Sequence, residues 1–285
     1  MLIFIAFLAL KYYDINMKNG SVRFYHVIDL PTTPDNVSWV PHLHNEYEIL
    51  FVYSVENAFF NINGLKYALQ SFDMVFIKPA VIHNLTIPYN QDYERCGLYF
   101  TEDIIPAELK SAVNNFNHFY HLNADDSLYK IIDSISDAEK KFSKEDFDEY
   151  LPHALIQLLY HIKHSTAMDE SVGVSNEAID KVLKYIDKHI TEPLNADIIA
   201  EQCFVSKSWL SHSFKEYLGI SLKKYINQKK MLAIEQLIPT GLSITHLTEE
   251  YSYNNYTTFY RQYKQYSGKK PLLKKTTKNK KKNEK

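Results

Sequence analysis

Cysteine is nearly absent: the chain of 285 residues holds only Cys96 and Cys203, far apart in sequence. Two such distant thiols exclude a disulfide framework and any cysteine-based zinc cluster, and they suit a reducing, cytoplasmic setting as small core residues. Long apolar runs are missing too. The opening MLIFIAFLAL has ten residues, too few to span a bilayer. No basic residue precedes it and no small-residue cleavage site follows, so a secretory signal fits poorly. Met17, which opens MKNGSVRFYHVIDLP, is the expected start of the ordinary soluble sequence. What remains is globular in texture, 45% hydrophobic and 23% charged, and long enough for two domains.

Charge is sparse overall, a net of −2, but it is segregated. Up to Glu170 there are 12 Lys+Arg against 23 Asp+Glu, a net of −11; beyond it there are 20 against 11, a net of +9. Such asymmetry suits a carboxyl-terminal half that meets a polyanion. The last 17 residues, with nine Lys and one Glu, supply +8 of that +9, so charge alone does not identify a nucleic-acid-binding domain. The tail adds at most nonspecific attraction to phosphate.

From Val22 to Phe100 the sequence is a series of short aromatic and β-branched runs broken by turn signals such as Asn63-Gly64 and Lys78-Pro79. Asn-Gly between two such runs predicts a hairpin, and the close strand spacing predicts an antiparallel barrel or jelly roll. Near Ala107 the period becomes helical. Leu128, Ile131, Ile132, Ile135 and Ala138 form one stripe, and Leu151, Leu155, Leu158, Leu159 and Ile162 another. These helices cap the barrel, with a dimer seam or simple core packing as equal readings of their apolar faces. Residues 164–176 carry no apolar period and predict a linker. Beyond it lie two more stripes: Ile179, Val182, Leu183, Ile186 and Ile190, then Leu222, Ile226, Ala233, Ile234 and Leu237 in a long helix ending at Pro239-Thr-Gly241.

A repeat carries the function. FKEYLG at 214–219 returns as YKQYSG at 263–268, 49 residues on, and Leu210 matches Phe259 at that offset. Upstream, Ile198-Ile199-Ala200 matches His246-Leu247-Thr248 at 48, so the units differ by one residue of turn. Each unit predicts a short helix, a tight turn and a longer helix: Asn195 capping Ala196–Gln202 and Ser206 capping 207–217, then Ser243 capping Ile244–Glu250, with 255–266 following. The inward positions are apolar (Ile199, Val205, Leu210 and Phe214; Leu247, Tyr253, Phe259 and Tyr263). The outward ones are polar (Ser208, Ser211 and His212; Thr257, Thr258 and Arg261). That division suits a helix laid in the major groove and braced by its neighbour.

Over residues 179–271 the chain resembles the AraC family of transcription regulators. The likeness rests on Val205-Ser206, Leu210, Phe214-Lys215 and Gly219, on Tyr225-Ile226 and Leu237-Ile238, and on Ser243-Ile244 with 259–271. It implies base contacts from Ser208, Ser211 and His212, then Tyr256, Thr257, Thr258 and Arg261, with Lys215 and Lys264 on phosphates. The chain departs from the family pattern at Thr248, at Ser252-Tyr253 where a Gly-Phe turn is usual, at Lys230 and His212 in place of arginines, and at Lys274.

In the first half, His42-Leu43-His44 with Glu48, then Pro79 with His83, resembles the metal motif of cupin barrels, although Val81 stands where that motif has glycine. Three readings stay open: a pocket in which these side chains, beside Tyr47, Tyr53 and Tyr99, hold a small polar effector; histidines that satisfy one another; or a bound metal. The first is preferred, with no resident metal and no cofactor, and the resemblance implies an effector such as a sugar. A metal-dependent cupin enzyme with a helical appendage is the rival to a regulator that is not an enzyme.

The expected fold class is therefore α+β: a cupin-like antiparallel barrel with following helices at 17–165, a linker at 166–176, an all-α domain of two helix-turn-helix units joined by a long helix at 177–273, and a basic tail at 274–285. The expected partners are double-stranded DNA, a small-molecule effector and a second copy in a homodimer, with RNA polymerase a further candidate and no membrane.

Overall fold

A computed structural model describes residues 11–17, 20–27, 40–87, 93–165, 176–253, 255–267 and 271. The chain divides into two compact units, one up to Ser175 and one from Asn176. The expected tail and nearly all of the expected linker lie outside the described residues.

The first unit is built on two antiparallel sheets. The larger contains β1 (Lys11–Met17), β2 (Gly20–Val27), β8 (Glu94–Phe100), β3 (Tyr47–Ser54), β6 (Asp73–Ile77) and β9 (Phe119–His121), in the order β1-β2-β8-β3-β6-β9. The smaller is β5-β4-β7, from β4 (Ala58–Ile62), β5 (Leu65–Leu69) and β7 (His83–Thr86). Among the described residues these are two separate sheets rather than one closed barrel. The β4–β5 hairpin turns at Asn63-Gly64, both with positive φ, 50° and 84°, as the Asn-Gly signal predicts. β1 pairs with β2 upstream of Met17, so the larger sheet begins before the boundary expected at residue 17.

The larger sheet is covered on both faces, which is why its strands do not alternate cleanly between apolar and polar residues. On one face Val22, Phe24, Tyr47, Ile49, Phe51, Met74, Phe76, Leu98 and Phe100 pack against α1 (Ala107–Asn114), α2 (Ser127–Lys141) and α3 (Lys144–His164). On the other face Tyr25, Leu50, Val52, Val75 and Ile77 meet Phe60, Ile62, Tyr67 and Leu85 of the smaller sheet. Both apolar helix stripes predicted from periodicity are consumed inside this core, which settles their faces as core packing.

The second unit is helical: α4 (Glu177–Lys188), α5 (Ala196–Gln202), α6 (Lys207–Leu218), α7 (Leu222–Leu237), α8 (Ile244–Glu250) and α9 (Tyr256–Ser267). Side chains cap them. Asn195 Oδ1 accepts from Asp197 and Ile198, Ser206 Oγ from Trp209, Ser221 Oγ from Lys224 and Ser243 Oγ from His246. Gly219 ends α6 in the left-handed region at φ 74°.

Candidate nucleic-acid interface and a buried histidine cluster

The two helix pairs α5–α6 and α8–α9 repeat one backbone turn. In the first, Cys203 N donates to Ile199 O, Phe204 N to Glu201 O and Val205 N to Ala200 O; in the second, Tyr251, Ser252 and Tyr253 donate to Leu247, Glu249 and Thr248. Phe204 and Ser252 occupy matching left-handed positions, at φ 59° and 55°. Ser206 caps α6, and Asn255, 49 residues on, caps α9 by accepting from Thr258 N at 2.8 Å. Asn255 is therefore the cap of α9 rather than its first turn.

The inward positions read from the sequence are the buried ones: Ile199, Leu210 and Phe214 in the first pair, Leu247, Phe259 and Tyr263 in the second, with Val205 and Tyr253 partly buried. Ser208, Ser211, His212 and Lys215 lie at i, i+3, i+4 and i+7 of α6, and all four are exposed. On α9, Tyr256, Thr257, Arg261 and Lys264 are exposed and Thr258 is partly buried. His212 Nε2 sits 3.6 Å from Glu216 Oε2, an exposed pair of little weight.

A buried lysine ties the pairs together. Lys230, on α7 and 6% exposed, donates to Glu192 O at 2.9 Å and to Tyr251 O at 2.8 Å, while Ser252 Oγ donates to Thr191 O at 2.7 Å. Burial lowers the Lys230 pKa to about 8. The sequence marks this position only as a family arginine replaced; its two carbonyl partners lie 38 and 21 residues away.

Residues 199–273 match the family model of a helix-turn-helix domain. The chain is 30% identical over 89 residues to the regulatory protein SoxS of Salmonella typhimurium, covering 31% of this chain and 83% of that protein. The chain belongs to the AraC family of transcription regulators. Along most of its length this AraC-family chain is also similar to the uncharacterized HTH-type transcriptional regulator YfiF of Bacillus subtilis, 24% identical over 261 residues, 87% of this chain and 82% of that protein. ToxT of Vibrio cholerae overlays 90% of this chain and 96% of its own at 13% identity and a TM-score of 0.39, too loose a likeness to carry an argument.

The first unit of this AraC-family protein brings its four singled-out residues together. His42 and His83 pair by backbone, His42 N to His83 O at 3.1 Å and His83 N to His42 O at 3.0 Å. His42 and His44 do not share a regular strand, yet their rings converge on His83, with centroids 4.4 and 5.0 Å from it. Glu48, on β3 and 4% exposed, lies with its Oε2 3.2 Å from His44 Nε2 and 3.3 Å from His83 Nε2. Burial alone would raise the Glu48 carboxyl, but His44 and His83 outweigh it and hold it well below the usual range. Burial, reinforced by charge on His83, lowers His42 to about 4.

Of the tyrosines expected beside the cluster, only Tyr99 is there, edge-on to His44 at 5.3 Å. Tyr47 and Tyr53 are a correction. Odd positions on β3 face the helices, so Tyr47 bonds Asn114 and Tyr53 bonds Ser136. The tyrosine that does reach the carboxylate is Tyr25 of β2, whose hydroxyl lies 3.4 Å from Glu48 Oε1. Arg23 pairs with Glu46 and stacks over Tyr99 at 4.9 Å, which backs the His44 side.

Proposed function

We propose that this protein is a sequence-specific transcription regulator in which α6 and α9 each present a reading face to the major groove of double-stranded DNA. The observation that carries it is the repeated helix-turn-helix geometry with polar side chains on the outward face of each second helix. Ser208, Ser211 and His212 on α6, and Tyr256, Thr257, Thr258 and Arg261 on α9, meet base edges; Lys215 and Lys264 meet phosphates. The two faces are unequal. Arg261 is the one long, fork-shaped donor among these base-facing residues and suits a guanine edge, whereas α6 offers short hydroxyls and an imidazole. We place the protein in the cytoplasm, as a homodimer, with the first unit binding a small effector at His42, His44, Glu48 and His83 and RNA polymerase as a further partner.

A gel shift on the DNA upstream of its own gene, in the presence and absence of candidate sugars, tests this reading. Specific binding supports it, and affinity indifferent to sequence removes it. Arg261→Ala is expected to cost about 1–3 kcal/mol on the cognate site and to relax discrimination at one base pair. An equal loss on every sequence would move Arg261 to the phosphate set.

A further inference from the structure

On its helix-covered face the larger sheet ends in a polar patch that the apolar core does not use. His26 of β2, Glu94 and Cys96 of β8 and Tyr53 of β3 share the face that carries Phe24, Phe51 and Leu98, because every second residue of a strand points the same way. Opposite them, α2 carries Tyr129, Asp133 and Ser136 at i, i+4 and i+7, a polar stripe beside its apolar one. The two surfaces meet where Tyr53 Oη and Ser136 Oγ share a hydrogen bond of 2.6 Å. The rings of Tyr53 and Tyr129 both pack on Phe51, with centroids 4.7 and 5.8 Å from it, and the His26 ring stacks on Tyr53 at 5.3 Å.

Charge in this patch is unbalanced. Glu94 Oε1 lies 2.9 Å from His26 Nε2, and among the described residues no lysine or arginine pairs with Glu94 or Asp133. A carboxylate only accepts, so Nε2 donates and the Nδ1 of a neutral ring is left as an acceptor. The His26 side chain is 6% exposed, and its Nδ1 is buried without a hydrogen-bond partner. A buried acceptor left unmet is costly, so the place calls for a donor. Both carboxylates act on the same neighbours. Burial, followed by the charges of Glu94 and Asp133, pushes the Cys96 thiol up to about 12, and burial followed by the same two charges raises the Tyr129 phenol.

A cation that also donates hydrogen bonds answers all of these groups together. Among the described residues only His42, His44 and His83 bring three metal-ligating atoms within 4.8 Å of one another, so His26, Glu94 and Asp133 stand too far apart for one bare metal ion. Aromatic rings beside carboxylates suit instead an organic ammonium, whose N–H groups donate and whose charge is drawn to the rings. Its apolar body has Phe72 to lie against, 5.5 Å from the Tyr129 ring. We infer that this edge of the larger sheet, under α2, binds a small primary ammonium ion, with Glu94 and Asp133 meeting its charge, His26 Nδ1 accepting from it and Tyr53 and Tyr129 beside it. The site is separate from the histidine cluster, since Glu48 leaves β3 on the other face, toward Tyr25.

The test is isothermal titration calorimetry of the full-length protein with n-pentylammonium, 1-pentanol and n-pentyltrimethylammonium. The expected result is saturable binding of one equivalent of n-pentylammonium and no saturable heat from the uncharged alcohol. Glu94→Gln and Asp133→Asn should each weaken that binding by about tenfold, the scale of one hydrogen bond to a charged group. Both residues are partly exposed, so these variants are expected to keep the wild-type circular dichroism. The trimethyl ion has no N–H to offer. It should bind the wild type more weakly than n-pentylammonium does, and it should not distinguish the wild type from His26→Phe, which keeps a ring against Tyr53. Asp137→Asn, which alters an exposed carboxylate paired with Lys141 on the same helix, should bind like the wild type. No saturable heat from n-pentylammonium, or equal affinity in wild type, Glu94→Gln and Asp133→Asn, overturns the site. Binding of 1-pentanol as tight as that of the ammonium reduces it to an apolar crevice and overturns the choice of a cation. A trimethyl ion that binds as tightly as the primary one overturns the role of His26. The ligand series on the wild type decides the matter even where a variant fails to fold.

Discussion

At the scale of single residues, the histidine cluster depends on a position that offers no chemistry of its own. Gly97 lies opposite Tyr25 in the β2–β8 register, and a Cβ placed there would run into the Tyr25 ring. Only glycine lets that ring lie across the strand and bring its hydroxyl toward Glu48. Gly97→Ala is therefore expected to swing Tyr25 away and to destabilise the protein by about 1–3 kcal/mol, read as a lowered urea midpoint. An unchanged midpoint would mean that the ring has room elsewhere. A glycine inside an otherwise strand-like run is a visible signal of close approach, but nothing local says what approaches. Glu48 illustrates the same limit. Its neighbours His44 and Tyr25 are 4 and 23 residues away in the chain, and only the folded sheets reveal that Tyr25 rather than Tyr47 or Tyr53 is the tyrosine it meets.

At the scale of elements, legibility follows the range of the forces. The helices α5 and α8 match the sequence expectation residue for residue, because capping side chains and the apolar period act within one or two turns. The hairpin at Asn63-Gly64 is legible for the same reason. Barrel closure is not, since strand spacing in sequence does not say which edges pair. Phe204 marks another limit: it stands 95% exposed in a left-handed turn that its residue type disfavours, and only its match to Ser252 shows why the backbone turns there. The link between the two helix pairs through Lys230 is equally hidden. Lys230→Met keeps the apolar stem but leaves Glu192 O and Tyr251 O without their shared donor, and is expected to cost about 1–3 kcal/mol in thermal or urea unfolding. The pH dependence has a definite sign. The folded pKa is lowered to about 8, while the unfolded lysine stays near its ordinary value of about 10.4, so between the two the unfolded chain binds more protons. This lysine therefore makes stability rise with pH across that window, a rise that should vanish in Lys230→Met. An identical pH profile in both proteins would show that the ammonium loses no hydration on folding.

At the scale of the whole molecule, the segregation of charge points to DNA for a reason that does not hold up the conclusion. Nearly all of the positive excess beyond Glu170 lies in the last 17 residues, most of them outside the described structure, whereas the repeated turn geometry lies upstream at 196–267. Reading and attraction are thus separable along the chain. Under the proposed function, base discrimination falls to α6 and α9, whose buried Leu210, Phe214, Phe259 and Tyr263 hold them in the second unit. The last 17 residues hold nine lysines, seven of them beyond Leu273, and such charge acts through release of counterions from the phosphates. A chain ending at Leu273 should consequently keep its order of preference among DNA sites. Its slope of log affinity against log salt should flatten by roughly 0.9 for each phosphate that the tail no longer neutralises, measured by gel shift over a salt series on cognate and scrambled DNA. A slope that does not move would place all of the phosphate neutralisation within the folded units, with Lys215 and Lys264 as the first to test. A slope that flattens only on the cognate site would mean that the tail is held in register by the reading helices and takes part in recognition itself.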